Sequence, residues 1–235
     1  MLLGVTPEMI VEAFGAESER LSEVLAGVDD TASARTSGCP PWSVAELAFH
    51  VRMTIARLPG MLDRPSPAPA GAGLVSAAEY YRSDERFSDA TNADRIRSAQ
   101  LGAAAQPDAG ARARDFLAAR EQAWGLLQVT PPGRVVRTRH GDPMLLSEFL
   151  RTRVFELTVH GLDLAAPLEL EPWMTAPAAE VTEDLLIPAP AGARLRAETG
   201  WDRVTLIEKL TGRSPLTSGE SRLIEPLGST RLALA

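Results

Sequence analysis

Histidine is scarce in this chain, with three in 235 residues: His50, His140 and His160. Two of them have neighbours that could do chemistry. Glu156 and His160 are four residues apart in Val154-Phe155-Glu156-Leu157-Thr158-Val159-His160. On a helix that spacing stacks a carboxylate and an imidazole on one face, where they can bind one divalent ion together. A third ligand from a facing helix would complete the open, three-ligand arrangement of catalytic metal sites, and His50 is placed to supply it. Glu-x-x-x-His is also an ordinary pair on the surface of helices, and the spacing alone leaves both readings open. Leu150, Val154, Leu157 and Leu164 on the same segment argue against a purely solvated face. A buried glutamate needs a cationic partner, and a metal ion satisfies that need.

These side chains depend on two helices. Ser43 and Glu46 form a Ser-x-x-Glu capping box, with Trp42 and Leu47 where a hydrophobic staple closes. The helix they open should run through His50 to about Leu62. The second helix spans about Leu145 to Leu164. Around them, Thr6, Pro7 and Glu8 start a first helix that ends near Gly27. Ser76 and Glu79 offer another capping box beyond a Pro/Ala/Gly-rich link from Arg64 to Gly73, and further helices are expected at about 88–101 and 108–129. Arg134 to His140 reads as a short extended segment. After Pro167 the texture changes: a helix at about 176–186, a link at 188–193, a strand at Leu195 to Glu198, and a helix at 202–211. The expected architecture is mainly α, a four-helix bundle over residues 1–166 with a small α/β domain over 167–235.

The formal net charge of −7 argues against nucleic acid as a partner, because phosphate binding needs a basic surface. The longest apolar runs fall short of the roughly 18 residues that span a bilayer. The start has no basic segment followed by a long apolar stretch, so no signal peptide is expected. Cys39 is the lone cysteine, which excludes an internal disulfide and a cysteine-rich metal site. The expectation is a reduced cytoplasmic protein.

The segments Trp42-Ser43-Val44-Ala45-Glu46-Leu47 up to His50, and Thr152-Arg153-Val154-Phe155-Glu156-Leu157-Thr158-Val159-His160-Gly161-Leu162-Asp163-Leu164, resemble the mycothiol-dependent maleylpyruvate isomerase family of the DinB-like metalloproteins. Arg137 to Met144 and Leu210-Thr211-Gly212-Arg213 add to the likeness. The resemblance implies a DinB-like bundle whose His, Glu and His ligands fall on His50, Glu156 and His160. It also implies zinc, or another divalent ion such as nickel, and mycothiol as thiol cofactor. The partner would be an electrophilic small molecule, which takes up the thiol or is isomerised through a thiol adduct. A hydrolase acting through bound water, or a non-catalytic metal-binding protein, are the alternatives.

Other residues have weaker claims. Arg153 lies one turn before Glu156, as a pocket residue or as one half of a structural ion pair. Arg213 resembles a family arginine that could hold a carboxylate of thiol or substrate, a catalytic and cofactor-binding role; an exposed arginine at a helix end is the other reading. Asp163 either orients a ligand histidine or closes the helix. His140 reads as a solvated loop residue, with an anion contact as the alternative. Cys39 and Trp42 read as structural.

Overall fold

Thr6 caps the first helix as its sequence suggests, its Oγ1 accepting from the Met9 amide at 3.4 Å. In the computed structural model, which describes residues 4–66, 73–81 and 88–227, this helix, α1, spans Pro7–Ala26. It is followed by α2 (Asp30–Ser33), α3 (Val44–Ile55), α4 (Leu58–Leu62), α5 (Ala77–Tyr80), α6 (Asp89–Ala104) and α7 (Ala109–Leu127). Strands β1 (Val135–Arg137) and β2 (Pro143–Leu145) pair antiparallel, with Val136 opposite Met144. Then come α8 (Leu146–Ala165), α9 (Ala176–Leu186), α10 (Ala191–Thr199), α11 (Arg203–Leu210) and α12 (Ser218–Ile224).

The bundle is a ring of four: α1 packs on α7 and α8, and α3 packs on the same two helices. α6 covers α3 from outside, and α9 covers α1 and α8. Within α8 every residue except Glu148 and Arg151 is buried. A helix buried on all sides usually carries only apolar residues. This one also buries Thr152, Arg153, Glu156, Thr158, His160 and Asp163. Each of those polar groups must find a partner inside the protein or stand unpaired at a cost of a few kcal/mol.

The capping box of α3 is formed as expected: Glu46 N–H donates to Ser43 Oγ at 3.3 Å, and Ser43 N–H donates to Glu46 Oε2 at 2.7 Å. The helix stops at Ile55 and does not run on to Leu62. Pro59 explains the break, since it has no N–H and its ring would strike the carbonyl of residue 55. The box at Ser76 and Glu79 also forms, on a helix that ends at Tyr80. Of the Pro/Ala/Gly-rich link, residues 67–72 lie outside the described residues, as do 228–235 at the chain end.

The extended reading of 134–140 holds for β1, and the hairpin carries Arg139 and His140 in its turn. The strand expected at Leu195–Glu198 is instead the middle of α10, and no strand follows residue 166 among the described residues. Leu195, Arg196, Ala197 and Glu198 all have side chains that favour helix. Gly200, at φ +75°, ends that helix in the left-handed conformation glycine adopts without strain. Among the described residues no helix is long and apolar enough to cross a membrane.

The capping box should carry measurable stability because α3 begins in a tight loop. Ser43→Ala is expected to cost about 1 kcal/mol and to lower the melting temperature by about 2–4 °C. An unchanged thermal melt would remove the cap from the account.

Candidate metal centre

His50 on α3 and the Glu156–His160 pair on α8 meet in the interior. All three are buried, and one ligand atom from each lies within 4.8 Å of the others. His50 Nε2 is 3.4 Å from Glu156 Oε2, and His160 Nε2 is 3.3 Å from the same oxygen. Charge-assisted hydrogen bonds are shorter, at about 2.7–2.9 Å. Bonds of about 2.0–2.1 Å from one tetrahedral ion would set neighbouring ligand atoms about 3.3 Å apart. The donor set of two imidazoles and one carboxylate, with these separations, fits a divalent ion better than it fits a bare hydrogen-bonded cluster.

The ligand atoms are held by neighbours. His160 Nδ1 is 2.9 Å from Asp163 Oδ2. A proton donated there leaves the Nε2 lone pair facing Glu156, as in carboxylate–histidine–metal arrangements. Arg213 grips Asp163 from behind with two bonds, Nε to Oδ1 at 2.9 Å and Nη2 to Oδ2 at 2.8 Å. The backbone of Gly38 donates to the Asp163 carbonyl at 2.7 Å, and a Cβ on Gly38 would come within 2.9 Å of that oxygen. Tyr81 Oη lies 3.2 Å from Glu156 Oε1 and 3.0 Å from the Thr152 carbonyl. Its hydroxyl therefore attends the oxygen of Glu156 that the histidines leave alone. The Trp42 ring stacks on His50 with centroids 4.6 Å apart.

Burial and charge pull these groups apart in pKa. Burial pushes His50 down to about 4, so its imidazole is neutral near pH 7. Burial also opposes charge on His160, but its bonds to Asp163, Cys39 and Glu156 outweigh that and raise its pKa well above the usual range. Glu156 is likewise penalised by burial, yet His160, His50 and Arg153 hold it well below the ordinary carboxylate value. Burial and the nearby Glu156 charge lift Tyr81 well above 10, so it remains a protonated donor.

The triad opens on a cavity of about 290 Å³. Its walls include Trp42, Tyr80, Tyr81, Arg57, Arg95, Arg139, His140 and Arg153. Arg153 thus reaches the pocket, with its guanidinium 4.8 Å over the Phe149 ring and no carboxylate within ion-pair distance among the described residues. His140 was read as solvated, but the hairpin folds it onto the cavity wall, 5.8 Å from the Tyr80 ring. Arg213 is not brought into this cavity. It lines a separate depression with Cys39, Asp163 and Glu208, on the far side of Asp163. Cys39 is buried beside His160 and Asp163. Sequence reasoning missed Tyr81, Arg57 and Arg95; the capping box before Tyr80-Tyr81 was seen, but nothing in it says which way the tyrosines point.

A family model described as the mycothiol maleylpyruvate isomerase N-terminal domain matches residues 14–165, from within α1 to the end of α8. Among solved structures, a mutant of a mycothiol-dependent maleylpyruvate isomerase aligns with a TM-score of 0.51 at 16% identity, over 77% of this chain and 68% of that one. A second structure of a mycothiol-dependent maleylpyruvate isomerase aligns with a TM-score of 0.43 at 18% identity, over 68% of this chain and 61% of the other. At such identities the first likeness is one of fold. No curated protein matches the chain.

The Asp163–Arg213 pair is open to a direct test. The Asp163 side chain is 2% exposed and that of Arg213 16%. Arg213→Ala strands the carboxylate and should destabilise the protein by roughly 2–3 kcal/mol, somewhat less than a fully buried pair would lose. Urea unfolding measures this, and an unchanged midpoint would show the pair to be without structural weight.

Proposed function

The chain belongs to the mycothiol maleylpyruvate isomerase family, and from that premise we propose that it is a divalent-metal-dependent thiol enzyme acting on an electrophilic small molecule. The observation that carries the reading is the set of three buried ligand atoms facing an open cavity, with both histidine nitrogens 3.3–3.4 Å from Glu156 Oε2. His50, Glu156 and His160 hold the ion, with zinc preferred and nickel the alternative for this donor set. Mycothiol is the thiol. A divalent ion there supplies the positive charge that lets a thiol lose its proton near neutral pH. The outcome is addition or transfer of the thiol, or isomerisation through a thiol adduct.

The chain's own residues set the conditions for this chemistry. A divalent ion would displace the His160 proton; two neutral imidazoles and one carboxylate would then give the ligand set a single negative charge, and the loaded site would stay positive toward an incoming anion. Asp163 keeps His160 in the tautomer whose Nε2 faces Glu156, and Arg213 keeps Asp163 in place. We assign Arg213 to this positioning role, with no direct contact to thiol or substrate. Tyr81 engages Glu156 Oε1 and leaves Oε2 to the ion. Trp42 covers one face of His50 and keeps water from it. Arg153 offers its charge to the cavity. A reduced, cytoplasmic setting suits a thiol cofactor and a chain with a single cysteine, Cys39.

A closed structural site would call for a fourth protein ligand, whereas the cluster among the described residues has three. A hydrolase using bound water would share the triad and differ in one respect, turnover without thiol.

Alanine at His50, Glu156 or His160 should strip the ion from the purified protein, as read by elemental analysis. One ion per chain retained in all three variants would refute the ligand assignment. Tyr81→Phe should weaken metal affinity about tenfold without unfolding the protein, the usual scale for a group supporting a ligand; competition with a chelator reports it. Calorimetry should find mycothiol binding the metal-loaded protein more tightly than the metal-free one. Equal affinity would turn the reading toward the water-based hydrolase.

A further inference from the structure

A second group of metal-type ligands lies on the outer side of His160. Cys39, His160 and Asp163 are all buried, and one ligand atom from each lies within 4.8 Å of the others. His160 Nδ1 is 2.9 Å from Asp163 Oδ2, and the same imidazole is hydrogen-bonded to the Cys39 side chain. The ring therefore stands between two donor sets, with Nε2 toward Glu156 and Nδ1 toward Asp163.

The fold fixes the thiol in that place. Ser37 Oγ donates to the Trp42 carbonyl at 2.8 Å and accepts from the Cys39 amide at 3.2 Å, while the Trp42 amide donates to the Cys39 carbonyl at 3.2 Å. This tight loop is pinned to α8 by the Gly38 amide, which donates to the Asp163 carbonyl at 2.7 Å. The approach leaves no room for a side chain at residue 38, since a Cβ there would lie 2.9 Å from that carbonyl oxygen. Cys39 is thus held beside Asp163 whether or not an ion is bound. The way in is a depression of about 460 Å³ lined by Cys39, Asp163, Glu208 and Arg213, which shares no lining residue with the cavity of the triad.

A thiolate, an imidazole and a carboxylate are donors of zinc-type sites, and the sulfur favours thiophilic ions such as zinc and cadmium. We propose that Cys39, His160 and Asp163 form a second cation site on the outer side of His160, which takes a thiophilic divalent ion and competes with the triad for the imidazole. The exchange balances in charge: the ion displaces the thiol proton and the proton between His160 and Asp163, so two positive charges enter and two leave. Ligand bonds of about 2.0–2.2 Å would open the Nδ1–Oδ2 pair by only about half an ångström. Arg213 can keep its bond to Asp163 Oδ1 throughout. An ion on Nδ1 also removes the hydrogen bond by which Asp163 orients His160 and sets a second cation beside the first, hence the competition. That competition rests on the triad as the ligand set of the first ion; the second site does not.

The test is titration of the metal-free full chain with cadmium chloride, followed by sulfur-to-cadmium charge-transfer absorption. Because Cys39 is the lone cysteine, the absorption reports this thiol. It should appear and saturate, and its absence in excess cadmium would overturn the proposal. Glu156→Gln breaks the triad and should keep the absorption; its loss there would make Cys39 a ligand of the triad's ion and overturn the second site. Asp163→Asn removes a ligand and should weaken cadmium binding at least about tenfold, the least that loss of even a supporting group costs. An unchanged midpoint would mean that the thiol binds alone, against the proposal. Should that variant fail to fold, X-ray absorption at the cadmium edge of Glu156→Gln should show one sulfur together with an imidazole, and sulfur without imidazole would overturn the site. In the zinc-loaded protein, cadmium should release more zinc from the unaltered chain than from Cys39→Ser, and equal release would overturn the competition. Failure of the triad reading shows separately, as zinc retained by Glu156→Gln.

Discussion

A carboxylate buried between two imidazoles is the constraint on which the centre of this molecule depends. Glu156 is 8% exposed in a helix surrounded by protein. An ionised group there is several kcal/mol out of balance unless positive charge and hydrogen bonds meet it. Its surroundings answer that demand from three directions: His50 across the bundle, His160 one turn on, and Tyr81 on the second oxygen. Even so, the two Nε2 contacts are long for hydrogen bonds and right for ligands of one small ion. The polar interior of α8 makes sense as the support of that single arrangement.

The support extends outward in layers of decreasing burial. His160 leans on Asp163, Asp163 on Arg213, and Arg213 comes from the loop after α11. The C-terminal helices therefore matter to the centre without entering its cavity. Glu17 makes a comparable link between α1 and the start of α9. It is wholly buried on α1 and accepts both the amide and the hydroxyl of Thr175, the residue that starts α9. Burial raises its pKa, and these two bonds offset part of the penalty.

What the sequence revealed and what it concealed follow from the range of the forces involved. Capping boxes at Ser43 and Ser76 and the spacing of Glu156 and His160 are local, involving residues within four positions of one another, and all three features are present in the fold. The break before Pro59 is equally local, since a proline inside a helical stretch ends or kinks it. The strand expected at residues 195–198 is a helix because each of those residues prefers one. Contacts over long separations were beyond reach. Arg57, Arg95 and Arg139 lie far apart in the chain, and only the closed bundle brings them to one wall. Arg213 shows the same limit from the other side: the family likeness suggests a carboxylate of thiol or substrate, whereas the carboxylate it meets in the fold is that of Asp163, outside the cavity.

Glu156, His160, Asp163 and Arg153 share one helix, while Arg57, Arg95, Arg139, His140 and Tyr80 come from the helix junction, α6, the hairpin turn and α5. The candidate metal centre and most of the cavity wall are thus drawn from different parts of the chain. Exchange of an arginine in the hairpin turn or on α6 leaves the α8 scaffold untouched, whereas almost any change of register in α8 would dismantle the centre at once. In a lineage built on such a plan the cavity wall can change by small steps at the periphery while the buried α8 scaffold stays as it is.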